Sequence, residues 1–277
     1  MERNLKNKKI YSVTTMTPHR ISFAGGGTDY PDYYKKNGGA VLNTTIDKYL
    51  FVTIKTHGEV FPEKYRLMYS ITEKCNKVSE IKNNIARECM KLLPVKGKIS
   101  ISTVSDLPPE SGAGSSSCFA VGLLNALHAF RGEKVSSAQL AREACQIEIN
   151  KLKKTSGKQD QYAASYGGMN KFLFKKNGKI SKVPIKMYSR NKFHLFENLK
   201  MVWTGQRRDA SKIAKTYNFK NNNFIEMELM KKMTTDFKNE FEKRKLNLKN
   251  IATLINKSWL LKKKMSNSIS PPKINKF

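Results

Sequence analysis

With 277 residues, 39% of them hydrophobic, the chain is long enough to bury a large core in one large or two medium domains. Its 52 Lys and Arg against 22 Asp and Glu give a net charge of +30. The lysines are spread along the whole chain, with no zinc-finger spacing, RNP-like aromatic motif or basic zipper, so no dedicated nucleic-acid function is expected. Four scattered cysteines without a Cys-x-x-Cys pair and four histidines without ligand spacing point to a reduced, cytoplasmic, metal-cluster-free protein that can still use Mg²⁺ through oxygen ligands.

The basic leader, residues 1–10, runs into no apolar segment of signal-peptide length, so no secretion is expected. His19 to Ala24 reads as a strand that ends at Gly25-Gly26-Gly27, where backbone is expected to approach something closely. Tyr49 to Lys55 and Ile99 to Val104 are further strands, with a hairpin region near Phe61 to Tyr69. Val78 to Leu93 keeps its apolar residues on one helical face.

The stretch Leu107 to Ser117 couples a glycine-serine loop to the start of a helix, the apolar run Cys118 to Phe130. That run is too short to span a membrane, which takes about 18 apolar residues, and a soluble protein is expected. Gly112 and Gly114 permit backbone angles closed to other residues, and the first helical turn turns unpaired N–H groups and the positive end of the dipole toward the loop. Phosphate is the natural occupant, although such a loop also serves simply as a turn with a serine cap. No Gly-Lys-Ser/Thr follows the glycines, so a P-loop NTPase is not supported.

Ser136 to Gln139 reads as a capping box opening a helix to about Asn150. Gly157 to Tyr162 leads into a short alanine-rich helix, and Gly167-Gly168 turns the chain into a strand over Met169 to Phe174. Pro184 and the polar segment Ser189 to Lys192 mark an expected boundary between a domain of residues 1–185 and one of residues 186–277. Beyond it a strand is expected near Met201 to Trp203, then two lysine-rich helices, about Phe224 to Glu242 and Leu248 to Met265.

Three segments, Thr17 to Tyr34, Pro108 to Ser117 and Glu148 to Gly168, together resemble the GHMP kinases. That family's Pro-x-x-x-Gly-Leu-Gly-Ser-Ser-Ala motif is matched at Pro108, Gly112, Gly114, Ser115 and Ser116, with Ala113 for the leucine and Ser117 for the alanine. Pro18-His19-Arg20 followed by Gly25-Gly26-Gly27-Thr28-Asp29-Tyr30, and the run Gly157 to Ala164, are similar to the branch that includes D-glycero-D-manno-heptose 7-phosphate kinase and L-fucokinase.

The resemblance implies an α+β, two-domain fold, with an N-terminal ATP-binding domain like domain 2 of ribosomal protein S5 and an incomplete ferredoxin-like C-terminal domain. It implies ATP and Mg²⁺ as cofactors, with Pro108 and Gly112 to Ser117 around the nucleotide phosphates and Ser116 and Glu148 as metal ligands. Asp160 would be the general base or orienting group, with Arg20 beside it, and Gly26, Gly27, Thr28 and Asp29 would hold the sugar. A phosphorylated acceptor needs a further cation, for which Arg207 and Arg208 are candidates. The implied reaction is phosphorylation of O1 of D-glycero-D-manno-heptose 7-phosphate, toward nucleotide-activated heptose for surface polysaccharide. The alternatives are an L-fucokinase-like enzyme acting on an unphosphorylated sugar and a non-catalytic remnant. No glycine follows Gly205, so the family's third, glycine-rich motif is missing and a C-terminally truncated member, open to dimerisation, is expected.

Overall fold

The structure, a computed structural model, describes residues 10–207, 223–266, 269 and 270. Its centre is a seven-stranded sheet: β1 (Ser12–Ala24), β2 (Gly39–Thr56), β3 (Tyr65–Met68), β4 (Thr72–Cys75), β5 (Ile99–Ser105), β6 (Met169–Phe174) and β7 (Ile180–Pro184). The 18-residue β2 organises the rest. One edge pairs with β1 between Leu42 and Lys55, while the other is shared, its second half by β5 and its first half by β6. All pairings are antiparallel except β3 with β5.

Helices α1 (Pro31–Asn37), α2 (Asn84–Leu92), α3 (Ser115–Phe130), α4 (Ser137–Cys145) and α5 (Gln159–Tyr166) are joined by α6 (Ser189–Asn198), α7 (Phe224–Phe241) and α8 (Leu248–Met265). The burial pattern of β2 shows where they pack. From Leu50 to Ile54 burial alternates, and Leu50, Val52 and Ile54 join Ile99 and Ile101 under α2 and α3 while Phe51 and Thr53 remain partly exposed. From Gly39 to Thr44 every residue is buried, because both faces are covered. Val41 faces Tyr162, Phe172 and Ala141, whereas Leu42 packs with Phe23 against Leu195, Phe237 and Phe241.

The second core therefore joins residues from both sides of the boundary expected at 185/186. Phe23 meets Phe241 at 5.1 Å and Phe237 at 5.6 Å between ring centroids, in tilted and edge-on arrangements that favour aromatic pairs. Among the described residues, the part after β7 consists of helices and irregular chain. The segment expected as a strand, Met201 to Trp203, is irregular and exposed, and no strand among the described residues offers it a ladder.

Local chemistry explains the other departures. Asn83 accepts the Ala86 N–H at 3.0 Å and starts α2 there, so the expected helix from Val78 divides into a short 3₁₀ turn and α2. Ser136 caps α4 through the Gln139 N–H at 3.2 Å, but the Gln139 side chain turns to Glu143 instead of closing a capping box. The α4 helix continues into a π turn, Gln146–Lys151, which rotates Glu148 inward.

No helix among the described residues is long and apolar enough to cross a membrane. Cys75, Cys89, Cys118 and Cys145 are buried free thiols.

Candidate active site

The glycine-serine loop is held in the geometry its glycines allow. Gly112 has φ 81° and Gly114, the residue before α3, has φ 79°, both in the left-handed region. Two contacts from β1 tie it down: the Arg20 N–H donates to the Ala113 carbonyl at 3.2 Å, and Arg20 Nη1 donates to the Gly112 carbonyl at 2.8 Å. The first turn of α3, Ser115 to Ser117, thus opens beside a loop whose Gly112 and Ala113 carbonyls are engaged by Arg20.

Arg20 also fixes Asp160. Its Nε and Nη2 reach Oδ1 of Asp160 at 2.8 and 2.6 Å. Burial opposes the guanidinium charge, but the charge and hydrogen bonds of Asp160 outweigh it and raise its pKa, so Arg20 is a permanent cation. Asp160 lies in the first turn of α5, and a Cβ on Gly114 would stand 3.5 Å from its Oδ2. The side chain of Asp160 is 22% exposed, open to a ligand on the loop side.

A second cluster surrounds Glu148, which is 2% exposed. Its Oε1 accepts from the Ser116 hydroxyl and from Lys154 Nζ, the latter at 3.2 Å. Its Oε2 accepts from the Ser117 hydroxyl at 2.6 Å and from Gln161 Nε2 at 2.7 Å. A hydroxyl and a carboxylate side by side, already gathered around an ammonium, form the hard-oxygen donor set that Mg²⁺ takes. Ser117, expected at the phosphates, is buried and turned to Glu148.

The glycine-rich turn after β1 is built largely from internal bonds. Asp29 is fully buried, its Oδ1 accepting the Gly27 N–H at 3.0 Å and its Oδ2 the Gln159 N–H at 3.0 Å, so it caps α5 from below. Burial raises its pKa, against the lowering effect of those two N–H groups. The Thr28 hydroxyl lies 2.8 Å from the Gly25 carbonyl and 2.9 Å from that of Ala40. Gly27 is closed by Met265, since a Cβ there would stand 2.9 Å from Met265 Cε. Gly26 faces polar groups: a Cβ there would lie 3.3 Å from both Gln159 Nε2 and Lys262 Nζ.

Below the site, His19 is fully buried with Nε2 3.1 Å from Ser105 Oγ, and burial lowers its pKa. Cys118 donates to the Pro18 carbonyl at 3.2 Å, and burial, with the charge of Asp160 adding, pushes its thiol up to about 12. Neither group is poised for chemistry.

Residues 76–168 match the family model described as GHMP kinases N terminal domain. That span includes the loop, Glu148 and Asp160, and the geometry adds Arg20 and Asp29 from outside it. Over that span the chain is similar to the N-terminal domain of the GHMP kinases. It is 28% identical to a D-glycero-alpha-D-manno-heptose 7-phosphate kinase of Campylobacter jejuni, over 96% of this chain and 81% of that protein. It is also 28% identical to a galactokinase of Thermotoga maritima, over 57% of this chain and 44% of that protein. In fold it is similar to a D-glycero-D-manno-heptose 1-phosphate kinase from Bacteroides thetaiotaomicron, with a TM-score of 0.72, 23% identity, and coverage of 92% of this chain and 81% of that one.

The kinase fold thus brings together Arg20, Asp160, Gly112 to Ser116 and Glu148. Arg208 lies outside the described residues, and Arg207 is exposed. Lys154 and Gln161 join the Glu148 cluster without having been anticipated. Gln161 sits one residue from Asp160, and Lys154 is hidden within the basic run of residues 151–154.

Proposed function

We propose that this GHMP kinase transfers the γ-phosphoryl group of ATP to O1 of D-glycero-D-manno-heptose 7-phosphate. The observation that carries the reading is the Arg20 bridge, which fixes Asp160 at 2.8 Å on one side and the Gly112 carbonyl at 2.8 Å on the other. A carboxylate able to accept a proton from a sugar hydroxyl is thereby held against a loop suited to phosphates. The similarity to the Campylobacter jejuni enzyme over 96% of this chain supports the choice of acceptor.

In this reading the amides of Gly112 to Ser116 cradle the nucleotide phosphates at the start of α3. Asp160 orients the acceptor hydroxyl and takes its proton, while Arg20 holds Asp160 in place and adds positive charge beside the transferring group. Ser116 and Glu148 would hold Mg²⁺, which when bound neutralises phosphate charge. Gly26, Gln159 and Lys262 line the sugar side. The product would supply a cytoplasmic route to nucleotide-activated heptose.

Phosphorus NMR of a reaction with ATP and heptose 7-phosphate tests the assignment. It predicts a second sugar phosphate resonance, split by the anomeric proton, growing as ADP appears. Growth of such a signal only with unphosphorylated sugars would move the acceptor to a neutral hexose, the reading favoured by the similarity to the Thermotoga maritima galactokinase.

A further inference from the structure

Lys154 stands where a cation is expected. Its Nζ donates to Ser116 Oγ at 2.6 Å and to Glu148 Oε1 at 3.2 Å, the two oxygens that would hold the divalent ion. An isolated carboxylate as buried as Glu148 is costly, and among the described residues the ammonium supplies the only positive charge bonded to it. The other three partners are built on helices: Ser116 and Ser117 on α3 and Gln161 on α5. Lys154 belongs instead to the irregular segment after the π turn, where its N–H donates to the Glu148 carbonyl at 2.9 Å. Its side chain is 28% exposed, so the ammonium has a path to solvent that leaves the backbone anchor in place.

We infer that Lys154 is a cation placeholder, holding Ser116 and Glu148 in position until a divalent ion displaces its ammonium. This rests on the assignment of Ser116 and Glu148 as the metal ligands. Two positive charges do not share one carboxylate oxygen without repulsion, so metal entry and Lys154 withdrawal are one exchange. The placeholder spares Glu148 an unpaired buried charge before metal arrives, and it lowers the affinity for free metal by the work of its own removal.

The experiment uses the full chain and Mn²⁺ as the probe, with free Mn²⁺ followed by electron paramagnetic resonance. Lys154→Met should bind Mn²⁺ roughly tenfold more tightly than wild type, the scale of removing one adjacent like charge at a partly exposed site. Glu148→Gln should bind it more weakly than either. If Lys154→Met binds no more tightly while Glu148→Gln loses binding, the metal assignment stands and the placeholder fails. If Glu148→Gln binds like wild type, the metal lies elsewhere and both fail.

Lys154→Gln keeps an N–H donor without the charge and carries the same expectation should circular dichroism show the methionine variant unfolded. Wild type offers an independent readout: acylation of Lys154 by an amine-reactive reagent, followed by mass spectrometry, should rise severalfold when Mn²⁺ is added. Unchanged labelling under saturating Mn²⁺ would count against the exchange.

Discussion

Arg20 and Asp160 lie 140 residues apart in sequence and share an asymmetric bridge, in which both guanidinium contacts fall on Oδ1 of the carboxylate. Among the described residues Oδ2 takes no hydrogen bond, and it is the oxygen that faces the Gly114 side of the loop. One oxygen is therefore anchored and the other offered. Lysine at position 20 would supply a point charge without the fork that reaches both Asp160 and Gly112. Arg20→Lys should lower kcat by about 10²-fold, the scale of losing one preorganised electrostatic contact, and should raise the KM for ATP as the loop loosens. Steady-state kinetics check both, and a kcat within twofold of wild type would contradict the bridge's role.

Asp29 supplies a pH prediction. Burial raises its folded-state pKa above the ordinary 3.8, so the folded protein holds this proton to higher pH than the unfolded chain does. The stability linked to this group is thus fully present below the unfolded value and is lost as pH rises through the folded one. Urea unfolding across that window should show wild type losing stability with rising pH relative to Asp29→Asn. Parallel profiles for the two proteins would assign the pH dependence to other groups.

Gly157 meets Asp29 so closely that a Cβ there would stand 1.9 Å from Oδ2, and the start of α5 would have to shift. Gly157→Ala should cost about 1–3 kcal/mol through overpacking and should also reduce activity by displacing Asp160. Gly58, with nothing within 4 Å of an added Cβ, is the control, and Gly58→Ala should stay within about 0.5 kcal/mol. Thermal and urea unfolding compare them, and equal effects would remove Gly157 from the site's framework.

Phe237 tests how the C-terminal helices belong to the fold. It is fully buried against Phe23 of β1 and Phe241 of α7. Phe237→Ala should cost about 3–5 kcal/mol while leaving a single unfolding transition, because the helices and the sheet share this core. A separate early transition, with the loop and sheet intact, would show that residues 1–185 form a self-sufficient unit.

The reach of sequence reasoning differs from element to element for identifiable reasons. The loop at Gly112 to Ser117, α3, α7 and α8 were legible because glycines, caps and 3.6-residue periodicity are local signals. Strand β2 was seen only from Tyr49, since between Gly39 and Thr44 burial on both faces erases the alternation that marks a strand. Helix α6 falls where the sequence suggests a domain boundary, because its polar start, Ser189 to Lys192, hides the fully buried anchor Leu195.

In the site, the family resemblance points to Arg20, Asp160 and Glu148, but not to what each touches. Asp29, expected at the sugar, has both carboxylate oxygens occupied by backbone N–H groups from its own turn and from α5. Lys154 was invisible because, in a chain with 52 basic residues, nothing local separates a lysine against a buried carboxylate from one in solvent.

The most direct test compares ADP release by wild type and Asp160→Asn with ATP, Mg²⁺ and heptose 7-phosphate, alongside calorimetric titration of ATP binding to both. Asparagine keeps the shape of the side chain and removes the proton acceptor. Its turnover should fall by about 10²–10⁴-fold, the range of general-base contributions, while nucleotide binding stays near wild type. Equal ADP release by the two proteins, with heptose 7-phosphate consumed by both, would contradict the assignment of Asp160 as the group that activates the acceptor.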